Sequence, residues 1–382
     1  MDNALVNDQQ EQKVKEFKGH ELQTERDKEV IQVKEALPSD EQSSKHECHS
    51  WLTDDEKKRI EAVVNEKGHD SENQARVQTC DSVQEEQLFK PWSRENLVSI
   101  PMGLLHVSLF PPKGEPIKHD KCCAWIQDGY LLWCCMRGIA EHVLRLIELN
   151  TNVNVIDENG ETALMYACKE GHERVVSMLL LAHADFNAID KNGSTALMYA
   201  CGWGQGQGHE AVVSQLINVK PDINAKDSNG KTALMQACMT GRIVIVSRLI
   251  EAGSDMDVTD NDGSTALMIA CYFGFSPVHQ PIGMKFFTHY DDDPRIIVKQ
   301  LIEAGADVNA SDKNGKTALM IACMTNCYWL VSELLKAGAD VNARDNRGNT
   351  AYTYSYNYGG SERMMDILNK VPGSAAGFDS II

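Results

Sequence analysis

The chain has 382 residues and a formal net charge of −18, with 37 Lys and Arg against 55 Asp and Glu. That balance leaves no cationic surplus to displace counterions from phosphate, so neither nucleic acid nor an anionic membrane is an expected partner. No run of 18 apolar residues offers a membrane span, and the start Met1-Asp2-Asn3-Ala4 lacks the basic and apolar regions of a leader. Twelve cysteines in such a chain read as reduced thiols of a cytoplasmic protein.

Residues 1–87 hold 22 acids and 12 bases, about twice the charge density of the rest, and only Phe17 and Trp51 are aromatic. Such a segment buries too little apolar area to offset its chain entropy, and is expected to be largely disordered. Within it, Thr53-Asp54-Asp55-Glu56 forms a capping box, and Ile60, Val63 and Val64 follow at helical spacing. This predicts a short helix near 54–66, either a docking motif or a transient turn without a partner. The Glu/Lys/Gln-rich stretch 10–37 keeps no heptad and is not expected to coil. His46-Glu47-Cys48-His49 offers three metal ligands, but no second ligand pair stands nearby to complete a zinc site. Residues 88–121 form an apolar linker or a cover for the end of the following domain. Ile100-Pro101-Met102-Gly103-Leu104-Leu105 vaguely resembles the opening of an F-box, which implies a ubiquitin-ligase adaptor, although Pro111-Pro112 cuts the helix short.

From Thr162 the chain repeats itself. Thr162-Ala163-Leu164-Met165-Tyr166-Ala167-Cys168 returns with small changes at Thr195, Thr232, Thr265 and Thr317, and in degenerate form at Thr350. The steps are 33, 37, 33, 52 and 33 residues, so the odd ones contain insertions of 4 and 19. Stepping back 33 residues reaches the apolar Leu131-Leu132-Trp133-Cys134-Cys135, giving seven units over 122–372. In the second half of a unit, Val175, Val176, Leu179 and Leu180 make a helical stripe that must pack on a neighbour.

With its Asp-x-Asn-Gly-x-Thr hairpins (Asp157 to Thr162, Asp190 to Thr195, Asp227 to Thr232, Asp312 to Thr317), Gly171-His172 turn and Leu334-to-Asn342 stretch, the pattern resembles the ankyrin repeat family. The resemblance implies an all-α ankyrin-repeat solenoid, each unit a hairpin turn followed by two antiparallel helices. Units fall at about 122–155, 157–188, 190–225, 227–258, 260–310, 312–343 and 345–372, and a tail covers 373–382. The sequence departs from the family in one recurrent place, where Thr-Pro-Leu-His becomes Thr-Ala-Leu-Met. A proline that preorganises the first turn is lost, and histidine's polar contact gives way to apolar packing by Met165, Met198, Met235, Met268 and Met320.

Several signals imitate chemistry. Asp260-Asn261-Asp262-Gly263 lacks the Asp and Glu that a calcium loop needs at 258 and 269, where Val258 and Ile269 stand. Gly204-Gln205-Gly206-Gln207-Gly208 has no P-loop Lys and reads as a long turn. Cys122-Cys123 and Cys134-Cys135 lack C-x-x-C spacing, and the ladder Cys135, Cys168, Cys201, Cys238, Cys271, Cys323 recurs at a helix-to-helix distance too long for disulfides. No catalytic residue, cofactor or metal is expected.

Ankyrin folds bind partners through hairpin tips and the end of the first helix. Carried onto this chain, the resemblance implies partner-binding roles for Met136, Lys169, Glu170, Trp203, Met239, Tyr272, Phe273, Met324 and Tyr358. Large apolar groups dominate the set, as in interface cores, beneath a polar rim of hairpin tips. The reading is a non-enzymatic interaction protein, scaffold or adaptor, expected to be a cytoplasmic monomer with a protein or peptide partner. Alternatives are a ubiquitin-ligase substrate adaptor, a microbial effector acting in a host cell, or an enzyme with its activity in 1–121. The 275–294 insertion, with Phe286, Phe287, Tyr290 and Asp291-Asp292-Asp293, is expected to be an accessory contact or an inert loop, and Asp379-Ser380-Ile381-Ile382 matches a PDZ ligand.

Overall fold

The computed structural model describes residues 52–69, 121–202, 207–273, 294–360 and 362–371. Outside them lie the expected disorder of 1–50, the His46 to His49 set, the F-box-like stretch, Trp203, the turn at Gly204 and Gly206, the 275–293 insertion and the C-terminal tail.

The described residues form fifteen helices and no strand beyond two isolated bridges, Ile156 with Thr162 and Ser311 with Thr317. Helix α1 (Asp54–His69) precedes seven helix pairs. The inner helices are α2 (Lys121–Arg137), α4 (Ala163–Glu170), α6 (Ala196–Gly202), α8 (Ala233–Thr240), α10 (Ala266–Phe273), α12 (Ala318–Met324) and α14 (Ala351–Asn357). Each packs on the next, and each carries an outer partner: α3 (Ala140–Glu148), α5 (Glu173–Leu181), α7 (Gln207–Asn218), α9 (Ile243–Glu251), α11 (Pro294–Glu303), α13 (Tyr328–Lys336) and α15 (Glu362–Asn369).

The repeated heptapeptide builds the inner helix directly. The Thr162, Thr232 and Thr317 hydroxyls accept the backbone N–H of Met165, Met235 and Met320 at 3.2, 3.3 and 3.4 Å, satisfying a donor that the first turn leaves free. Gly171 ends α4 in the left-handed region (φ 73°), and a Cβ there would come within 2.7 Å of the His209 ring. That ring lies over the preceding turn, its Nε2 3.0 Å from the Lys169 carbonyl. Each hairpin aspartate organises its own turn: Asp190 Oδ1 accepts the N–H of Asn192 at 2.8 Å and of Ser194 at 2.7 Å. Successive hairpins are then stitched by backbone bonds from Lys191, Ser228, Asn261, Lys313 and Asn346 to the tip carbonyl of the preceding unit. The Asp262-to-Lys313 step (2.9 Å) closes across the long insertion, so the hairpin row runs on through it.

Two features differ from the sequence reading, and a third decides between alternatives that it left open. The first unit has no hairpin: α2 is 17 residues long, because no Asp-x-Asn-Gly turn precedes it and helix continues back to Lys121. The five repeat methionines are all buried, yet the loss of polar contact is incomplete, since the Thr162 N–H points at Met165 Sδ from 3.3 Å. The helix near 54–66 has a partner within the chain. It packs on α3 and α5, with Ile60 fully buried.

Candidate functional site

The inner helices and hairpins present one face whose chemistry changes along the chain. In the second and third units it is a closed polar network. Tyr166 donates to Asp157 at 3.0 Å, and the Tyr199 hydroxyl, with one proton to give, lies between Glu161 at 2.7 Å and Asp190 at 2.8 Å. Lys169 pairs with Glu161 at 3.2 Å and stands 4.9 Å from the centre of the Tyr199 ring. Burial, followed by these carboxylates, pushes both tyrosine hydroxyls far above their ordinary range. Lys169 is therefore engaged inside the chain, while Glu170 beside it is exposed.

In the fourth to sixth units the equivalent face is apolar. Gln236 still reaches towards Asp227 (3.5 Å), but Ile269 and Ile321 occupy the place of the tyrosines and are buried. Around them Met239, Tyr272, Phe273 and Met324 are half-buried, each with one side on the core. Tyr272 and Phe273 meet edge to face at 5.2 Å, and Lys231 Nζ lies 3.4 Å from Met239 Sδ. These four lie on α8, α10 and α12, consecutive inner helices in contact. The last unit is aromatic and polar: Tyr354 donates to Asp345 at 2.8 Å, Lys316 stands 5.6 Å from its ring centre, and Tyr358 is 54 % exposed. Met136 is half-buried on α2 at the other end of the row, its carbonyl 3.2 Å from His172 Nε2.

Of the residues assigned from the resemblance, the structure sets Met239, the Tyr272–Phe273 pair and Met324 on three successive inner helices, Met136 and Tyr358 at the two ends of the row, and ties Lys169 into a network. The tyrosine–aspartate bonds were missed in the sequence. Their signal was available, a Tyr nine residues after the hairpin Asp in three units.

The thiol ladder is chemically quiet. Cys134, Cys135, Cys168, Cys201, Cys238, Cys271 and Cys323 are free and buried, and burial pushes the Cys134 and Cys323 thiols up to about 12. A nucleophilic thiolate needs the opposite shift. Among the described residues no three His, Cys, Asp or Glu side chains gather as a metal would require. Nor is any described helix long and apolar enough to cross a membrane.

Capped inner helices, stacked pairs and a stitched hairpin row define a helical-repeat solenoid of the kind that displays an interaction surface. A family model for ankyrin repeats matches residues 131–227, 205–280 and 290–371, and the single ankyrin repeat matches 262–313. The chain belongs to the ankyrin repeat family. No curated protein matches it significantly. Ankyrin repeats are in general protein-interaction modules without catalytic function.

Proposed function

We propose that the chain is a non-enzymatic scaffold or adaptor that seats a short peptide segment of a protein partner on the inner face of units four to six. The observation that carries this is the half-buried run Met239, Tyr272, Phe273 and Met324, four large apolar side chains on three adjacent helices. Spaced by about 8–10 Å per helix, they would span about 20 Å. Trp203, outside the described residues, keeps the partner-binding role that the resemblance implies. Buried, free thiols fit a reducing, cytoplasmic setting.

The test is a Tyr272→Ala, Phe273→Ala pair, assayed by thermal melting beside capture of partners from lysate. Anchor residues lose partner binding by order 2 kcal/mol or more each with little change in stability. Core residues lose about 3–5 kcal/mol of stability per aromatic ring. Lost stability with retained partners defeats the proposal.

A further inference from the structure

The two ends of the repeat array are finished differently. On the first unit α1 lies against the outer helices, with Glu56 paired to Arg174, Arg59 to Glu148, and Ile60 fully buried. At the other end α14 and α15 pack on α12, α13 and each other. The repeat itself measures what this leaves uncovered. In the second to sixth units the third, fourth and seventh residues of the heptapeptide are buried, and in the sixth unit Leu319, Met320 and Cys323 are each 1 % exposed or less. The same register in the seventh unit holds Tyr352, Thr353 and Tyr356. The first two are half-buried, and Tyr356 is 61 % exposed. The outer helices agree: Val331 and its equivalents in the four units before it are fully buried, whereas Met365 is half-buried. A preceding unit is present in each case, so the missing cover is the one that a following unit gives the others.

A terminal repeat that ends an array in water carries a polar outer face. Thr353 follows that rule. Tyr352, Tyr356 and Met365 do not, and Tyr and Met are the residue types that interface cores favour. Charge indicates the occupant. Residues 345–371 hold three acids, Asp345, Glu362 and Asp366, and three bases, Arg347, Arg363 and Lys370, so this unit is neutral in a chain of net charge −18. A strongly charged partner gains nothing from such an end, whereas two copies of a chain that repels itself elsewhere can meet here without repulsion. Across a two-fold axis each residue faces a different one, so the exposed Arg363 and Lys370 of one copy are available to the exposed Asp366 of the other.

We propose that the end of unit seven is a self-association surface, where two copies of this chain meet end to end about a two-fold axis and cover Tyr352, Tyr356 and Met365 of each other. Helices of seven and eight residues are about 10–12 Å long. The contact therefore falls short of the roughly 800 Å² per partner of a standard interface, and a reversible dimer in the micromolar range is expected. The monomer expected from the sequence is then the dilute form. Pairing leaves the inner face of units four to six open, so the dimer presents two such faces to a partner that carries two copies of its segment.

The test is sedimentation velocity of the full chain from about 1 to 100 µM, which should show reversible exchange between monomer and dimer. Tyr356→Glu puts a like charge on both copies at an exposed side chain, and should raise the dissociation constant about tenfold or more. Val244→Glu puts the same charge on the exposed outer face of unit four, and should leave it unchanged. Thermal melts of both variants at low concentration check the fold. Amide exchange of the parent at the two concentrations needs no variant, and should show added protection in 351–369 but not in α4 to α10. A chain that stays monomeric throughout overturns the proposal. So does a dimer that Tyr356→Glu leaves intact or that Val244→Glu disrupts. Protection gained on α8, α10 and α12 instead would put the contact on the inner face, and would overturn it as well.

Discussion

Asp128 lies on α2 half-buried, and burial alone pushes its carboxyl up to about 6. A folded-state value above the unfolded one favours the proton-bound native form. The associated stability is complete below about pH 4 and is lost as the pH rises through about 6. Asp128→Asn, uncharged at every pH, should therefore exceed the parent in stability above pH 6 by about 1–2 kcal/mol. The two should converge near pH 4, and denaturant titrations at both pH values measure the difference. A gap independent of pH would refute the burial argument. Gly171 tests backbone and packing together, because alanine there must hold a φ of 73° and press on the His209 ring. Gly171→Ala should cost about 2 kcal/mol or more, and a His209→Ala background should relieve the steric part. An unchanged cost in that background would locate the whole penalty in the backbone.

Among the elements, α1 shows most clearly what a sequence conveys and withholds. Its capping box and apolar spacing are local, so the helix was legible; its seat was not, because Arg174 and Glu148 lie 118 and 89 residues from their partners. The repeat units were legible because Thr, Gly and Asp act within their own turns. The polar-to-apolar change along the inner face depends on which side chain fills one recurrent position, so it emerged only when Tyr166, Tyr199, Ile269 and Ile321 were set beside their hairpins. Docking of α1 should depend on acid. Burial raises the Glu56 and Glu148 carboxyls, but hydrogen bonds from Thr53 and Arg174, and from Arg59 and Arg145, outweigh it and hold both below the ordinary value. Their stabilisation is present above the unfolded carboxylate range and fades as the pH falls through the lowered values. Ile60→Ala removes the buried anchor and should cost about 2–5 kcal/mol of docking. Hydrogen exchange should then show 54–69 exposed with α4 to α8 still protected. Equal loss of protection in both regions would make α1 part of the repeat core rather than a docked helix.

At the scale of the whole array, each unit touches its neighbours, so stability is close to a sum of unit and interface contributions. Its two ends are unequal. The first unit has the extended helix α2 and α1 against its outer side, with Ile60, Leu131 and Leu132 fully buried. The last unit, α14 and α15, touches a described neighbour on one side only and leaves Tyr356 and Tyr358 61 % and 54 % exposed. Unfolding should begin there. Leu368→Ala in α15 and Leu249→Ala in α9 remove equally buried side chains, each at about 2–5 kcal/mol. The terminal change should speed amide exchange in 351–369 alone, because the lost interface supports nothing beyond it. The central change weakens the unit that couples both halves, and should lower the global denaturation midpoint or split the transition in two. If Leu368→Ala lowered the global midpoint as far as Leu249→Ala, the seven units would be folding as one indivisible body, and the weak end inferred from α14 and α15 would not exist.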